Sequence, residues 1–154
     1  MNEKYPNSTT LAPIMQANLK EIRETIGWTS EDLATLIGVT KQTISNLETN
    51  RSKLSKLHYI AIRTVVEFEI EQLQQVDPDR ARRAKLLMSF LSESPDIAKQ
   101  SGKHLDLEQI QETSQLIAKS NSYASAEKII RSFAPIFATG VISLLMKSAN
   151  TRKK

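Results

Sequence analysis

The chain contains no cysteine. That excludes disulfides, thiolate nucleophiles and cysteine-built metal centres, and it suits a reducing compartment. Histidine is almost as scarce, with only His58 and His104. The one grouping with the look of a ligand set, His104, Asp106 and Glu108, straddles a predicted helix start, so its members do not share a face. Asp106 serves better as a helix N-cap. No nucleophile stands beside a base, so no catalytic residue, metal or cofactor is expected, and neither is an enzyme. Four glycines and five prolines in 154 residues, with 40% hydrophobic side chains, exclude a low-complexity or disordered chain. Residues 77–154 show no period-2 alternation, and no repeat recurs at a fixed spacing. The fold class expected is therefore all-α. Met1–Thr10 lacks a charged-then-apolar leader pattern, and a cytoplasmic location is expected.

What is present is charge, unevenly placed. Residues 1–76 carry eight Lys/Arg against nine Asp/Glu, whereas residues 77–154 carry thirteen against eight. Within the first half, residues 38–63 hold Lys41, Arg51, Lys53, Lys56 and Arg63 against Glu48 alone. Acidic Glu21, Glu24, Glu31 and Asp32 precede that basic stretch. The N-terminal half is thus polarised, as a surface facing a polyanion must be.

The sharpest local signals lie between Thr29 and Asn50. Thr29 is an N-cap with Asp32 three residues on, a short form of the capping box, and Trp28 and Leu33 can form the hydrophobic staple. Gly38 ends this helix where the chain needs a positive φ. Thr40 then caps a second helix, with Val39 and Ile44 as its staple. Small Ala34 lets the two helices cross closely. Leu33, Ile37, Val39, Ile44 and Leu47 supply the apolar side, which leaves Lys41, Gln42, Thr43, Ser45 and Asn46 outward, with Thr40 at the tip. Burying hydroxyls, amides and a lysine unpaired would be costly, so this second face belongs at a surface. A helix with short hydrogen-bonding side chains at its N-terminus fits a DNA major groove.

Around this window, a flexible arm is expected over residues 1–10 and a first helix over Ala12–Ile26. A long helix is expected from Ser55 to about Gln75 with two apolar stripes. Leu57, Ile60, Ala61, Thr64, Val65 and Phe68 should pack on the N-terminal core, and Ile62, Val66, Ile70 and Leu73 on the C-terminal half or another subunit. Val76-Asp77-Pro78 is the expected boundary between a domain at 11–75 and a helical one at 77–148, with a basic tail at 149–154. Asp77 and Pro78 open a helix to about Leu91, buried through Ala84, Leu87, Met88 and Leu91. Arg80, Arg82, Arg83 and Lys85 make a basic cluster at its start, read as a solvated face. Ser92–Lys103 reads as a loop. Asp106 and then Ser122 or Ser125 start two further helices. Ile129–Met146 is almost wholly apolar, with Pro135 and Gly140 dividing it. The fifteen residues between Arg131 and Lys147 fall short of the roughly 17–25 that a membrane span needs, so no membrane partner is expected. The segment is instead expected at an oligomer interface, through Ile129, Phe133, Ile136, Phe137, Val141, Leu144 and Leu145.

The stretch SEDLATLIGVTKQTISNLET, Ser30 to Thr49, resembles the helix-turn-helix of phage-repressor-like (Cro or XRE-type) regulators. Ala34, Gly38, Ile44 and Leu47 fall where that family's motif places them, and the resemblance extends over roughly residues 14–72. One departure is visible: where the family usually has Glu-Asn-Gly, this chain has Glu48-Thr49-Asn50, although Asn also tolerates the left-handed conformation. The resemblance implies a lambda-repressor-like domain followed by a small helical C-terminal domain, with double-stranded DNA as partner. It places Thr40, Lys41, Gln42 and Asn46 where base edges are commonly reached, with Thr43 beside them. Ser30, Ser45, Asn50, Arg51, Lys53 and Lys56 are the phosphate candidates. The function expected is a homodimeric transcriptional repressor reading a two-fold-symmetric operator. The alternative is an antitoxin-like or antirepressor-like adaptor whose C-terminal half captures a protein partner.

Overall fold

The computed structural model describes residues 8–101 and 107–132, with side chains over 11–94 and 107–132. Among the described residues all regular structure is helical, in the order α1 (Ser8–Ala17), α2 (Leu19–Ile26), α3 (Ser30–Ile37), α4 (Lys41–Glu48), α5 (Lys56–Val76), α6 (Pro78–Ser101), α7 (Leu107–Lys119) and α8 (Tyr123–Arg131). The fold is all-α.

The single helix expected over Ala12–Ile26 is in fact two, broken at Asn18. The Asn18 amide donates to Ile14 O at 2.7 Å and its Oδ1 accepts from Ser114 Oγ on α7. Asn competes with the helix for backbone carbonyls, and here a partner 96 residues away along the chain fixes the competing geometry. Gly27 ends α2 at φ +95°. A Cβ there would lie 2.4 Å from Arg80 Nη1, the movable end of that side chain, so it is the positive φ that favours glycine.

On α5 the stripe expected on the C-terminal half does meet α6 but also takes the N-terminal contacts, and of the other stripe Ile60 and Val65 pack only partly against the core. Ile62, Val66 and Ile70 are buried, together with Tyr59, in the core shared with α1, α3 and α6. Leu57 and Phe68 of the other stripe are 74% and 61% exposed. The physical reason is steric: α5 also has α6 beside it, and only one of its faces can meet the N-terminal helices and α6 together.

α6 runs through the stretch expected to be a loop and ends at Ser101. Ser92 and Ser94 do not break it, because their hydroxyls donate to Met88 O and Leu91 O of their own helix. Leu91 O is the carbonyl that Pro95 cannot serve, since proline has no N–H, and the Ser94 hydroxyl serves it instead. The buried face of α6 is wider than expected and includes Ala81, Leu86 and Phe90 beside Ala84, Leu87 and Leu91; Met88 is half-buried.

One apolar cluster runs from Ile14 to Ile130 and crosses Val76-Asp77 without interruption, as α2 lies against both α6 and α7. Three of the four basic residues at the start of α6 have internal partners. Arg83 pairs with Asp79 at 3.0 Å and donates to Ser120 O, Arg82 lies 5.9 Å from the Tyr123 ring centroid, and Arg80 reaches Asp77 at 3.6 Å. Only Lys85 of the four fits the solvated reading. Ile129 is half-buried against the core. Phe133, Ile136, Phe137, Val141, Leu144 and Leu145, the divisions at Pro135 and Gly140, the 149–154 tail, the arm at residues 1–7 and the Asp106 cap lie outside the described residues. No helix among the described residues is long and apolar enough to cross a membrane.

Candidate nucleic-acid interface

The α3–α4 pair is built by short-range bonds. Asp32 N donates to Thr29 Oγ1 at 3.0 Å and Thr29 N donates to Asp32 Oδ2 at 2.8 Å, which closes the capping box. Those bonds from Thr29, backbone first, hold the Asp32 carboxyl below its ordinary pKa. Gly38 takes φ +75°, and the N–H groups of Gly38 and Val39 return to Ala34 O, which turns the chain within two residues. Thr40 then caps α4 by accepting from Thr43 N at 3.2 Å. Ile44 and Leu47 point inward and are 0% and 1% exposed.

The opposite face of α4 is open. Lys41 and Gln42 are exposed, and Thr43, Ser45 and Asn46 are half-buried along the same side. The hydroxyls of Thr40 and Thr43 lie 2.9 Å apart, and Gln42 Nε2 donates to Asn46 Oδ1 at 3.0 Å. That pairing uses the Gln42 donor and the Asn46 acceptor and leaves Gln42 Oε1 as an acceptor and Asn46 Nδ2 as a donor. Ser30, half-buried, is the first residue of α3.

After α4 the chain turns through Asn50 at φ +59°, the only non-glycine residue with positive φ among the described residues. Arg51 N and Ser52 N then donate to Asn46 O. So Asn50 does take the left-handed conformation that its place in the Glu48-Thr49-Asn50 variant demanded. Arg51, Lys53 and Lys56 follow, all exposed.

Two anchors of this surface are not evident from the sequence. Gln16 on α1 is 9% exposed; its amide donates to Leu47 O at 3.0 Å and Ser52 O at 2.7 Å, and its Oε1 accepts from Leu54 N at 2.8 Å. Arg23 on α2 meets Glu48 at 2.7 Å, with both side chains nearly 90% buried, and also donates to Trp28 O. The first ties the loop carrying Arg51 and Lys53 to the core, and the second ties down the end of α4. A polar residue amid the apolar spacing of α1 was the only hint.

Residues 19–65 match the family model described as Helix-turn-helix. These residues form a helix-turn-helix domain. Its two defining helices are α3 and α4, and the domain is of the kind that DNA-binding transcriptional regulators carry. No curated protein and no solved structure matches the chain. The helix-turn-helix thus accounts for α2 to the middle of α5, while α6, α7 and α8 lie outside the match and share its core. Among the described residues no cluster of His, Cys, Asp and Glu is grouped as a metal site.

Proposed function

We propose that the protein is a sequence-specific transcriptional regulator, a dimeric repressor that inserts α4 into the major groove at each half of a two-fold-symmetric operator. The observation that carries this reading is the two-sided character of α4. Ile44 and Leu47 are sealed into the core, while Lys41 and Gln42 at its N-terminal end and Asn46 one turn on lie on the open side.

The paired amides suit one base in particular. Adenine presents a donor and an acceptor at N6 and N7, and the Gln42 Oε1 acceptor with the Asn46 Nδ2 donor offers their complement. Lys41 favours guanine, and the methyl groups of Thr40 and Thr43, whose hydroxyls are already engaged with each other, suit thymine. Ser30 at the start of α3, with its free N–H groups, clamps a phosphate, and Ser45, Asn50, Arg51, Lys53 and Lys56 hold the backbone on the far side.

Selection of binding sites from a random duplex library at near-physiological salt, with the wild type beside Gln42→Ala/Asn46→Ala, tests this reading. The expected result is a palindromic motif that the double variant loses at the adenine position, at a cost of roughly 1–3 kcal/mol per contact. Salt-sensitive retention without any motif would reject it in favour of a protein-interaction role.

A further inference from the structure

Among the described residues no side chain covers Leu57 and Phe68 on the outer side of α5, although Ile60 and Val65 beside them pack on the core. Leu57 and Phe68 are 74% and 61% exposed, half-buried Ala61 lies between them, and Thr64 is exposed on the same side. The Thr64 hydroxyl already donates to Ile60 O at 2.7 Å, so covering it would orphan no donor. Spacings of four, three and four along 57, 61, 64 and 68 are those of a coiled-coil seam.

We propose that this stripe pairs antiparallel with the same stripe of a second copy, about a two-fold axis that crosses α5 between Ile62 and Arg63. Reversing the helix about that point sets Leu57 level with Phe68 of the second copy and Ala61 level with Thr64. The two large side chains then close the ends of the seam, and the two small ones meet at its centre, where the backbones come closest. The pairing is self-complementary, as an isologous contact must be.

Charge supports this partner over an unrelated protein. From Lys53 to Arg63 the chain carries Lys53, Lys56 and Arg63 and no acidic residue, and from Glu67 to Asp79 it carries Glu67, Glu69, Glu71, Asp77 and Asp79 and no basic one. An antiparallel pair lays each basic half along the other copy's acidic half. On one flank Lys56 comes within two residues of the level of Glu67 and Glu71 of the second copy, and on the other His58 comes within two residues of the level of Glu69. A parallel pair would set like charges side by side. The seam takes Lys56 away from the phosphate role given to it above.

The inference deepens the dimeric reading of the preceding subsection and rests on it for its consequence at DNA. In this register the two starts of α5 stand about 20 Å apart along the seam, at 1.5 Å per residue. Each recognition helix precedes its α5, so the pairing carries the two outward in opposite directions, as half-sites about 34 Å apart require.

The chain has no cysteine, so Leu57→Cys/Phe68→Cys in the full-length protein introduces the only two thiols. Within one helix they lie about 16 Å apart, beyond disulfide reach, so any disulfide joins two copies. Mild oxidation without DNA is expected to give a covalent dimer from the double variant, and a mixed dimer from the two single variants combined, but none from either single variant alone. Phe68→Glu is expected to keep the wild-type far-ultraviolet circular dichroism while self-association weakens on the order of 10³-fold, because each substitution acts twice across a two-fold interface. Efficient cross-linking of Phe68→Cys alone, a Phe68→Glu protein that still dimerises, or a wild type monomeric at micromolar concentration would overturn the proposal. A palindromic motif from site selection without the cross-link would reject this seam alone. The cross-link without any motif would reject the DNA reading and leave the seam standing.

Discussion

Gln16→Ala should separate what holds the DNA-facing loop from what reads the DNA. The Gln16 side chain serves three backbone groups: Leu47 O, Ser52 O and Leu54 N. They are not equivalent. Ser52 is exposed and water can replace its partner, and Leu47 O keeps a bond from Asn50 N at 3.3 Å. Leu54 is 4% exposed, so its N–H becomes a buried orphan. One orphaned donor costs about 1–3 kcal/mol, and the two remaining bonds add about 1 kcal/mol of net loss, for a total of about 2–4 kcal/mol. That is a large part of the 5–15 kcal/mol typical of a whole domain. Urea unfolding followed by circular dichroism measures it directly. DNA binding should then be measured by fluorescence anisotropy at a temperature where the variant remains folded. Affinity should fall by a similar factor for cognate and unrelated duplexes, because Arg51 and Lys53 lose their mounting while Gln42 and Asn46 keep theirs. A stability loss below about 0.5 kcal/mol would refute the clamp, since that is less than one net hydrogen bond. A destabilised variant with wild-type affinity would show instead that the loop does not touch DNA.

Two further outcomes follow from the same geometry. Gly38→Ala meets no atom within 4 Å of its new Cβ, so its cost is that of φ +75° alone, about 1–2 kcal/mol, and thermal unfolding should show Gly38→Asn to be milder. Glu21 is 6% exposed, its Oε2 has no hydrogen-bond partner, and burial pushes its pKa above the ordinary 4.5. The folded chain therefore binds this proton more tightly than the unfolded one, and the Glu21 contribution falls as pH rises from 4.5 through the folded value. Glu21→Gln should raise the urea midpoint at pH 7, by about 1–2 kcal/mol of stability, and flatten that fall; a variant less stable at pH 7 would contradict it.

The sequence by itself determined the α3–α4 unit. Thr29, Asp32, Gly38 and Thr40 act through bonds that span no more than five residues, and such bonds are written in the local order of residue types. The left-handed turn at Asn50 was legible for the same reason, and so was a serine cap for α8, though not whether Ser122 or Ser125 supplies it. The tertiary structure decided what depends on partners distant in sequence. Asn18 breaks the first helix because Ser114 reaches it, and Gln16 faces inward because the chain near Leu54 needs its oxygen. Arg80, Arg82 and Arg83 read as a basic face until Gly27, Tyr123 and Ser120 are placed beside them. α5 carries two apolar stripes of similar pattern, and nothing within its own sequence ranks them. Periodicity shows that a face is apolar, but which face is buried is fixed by the helices that arrive against it.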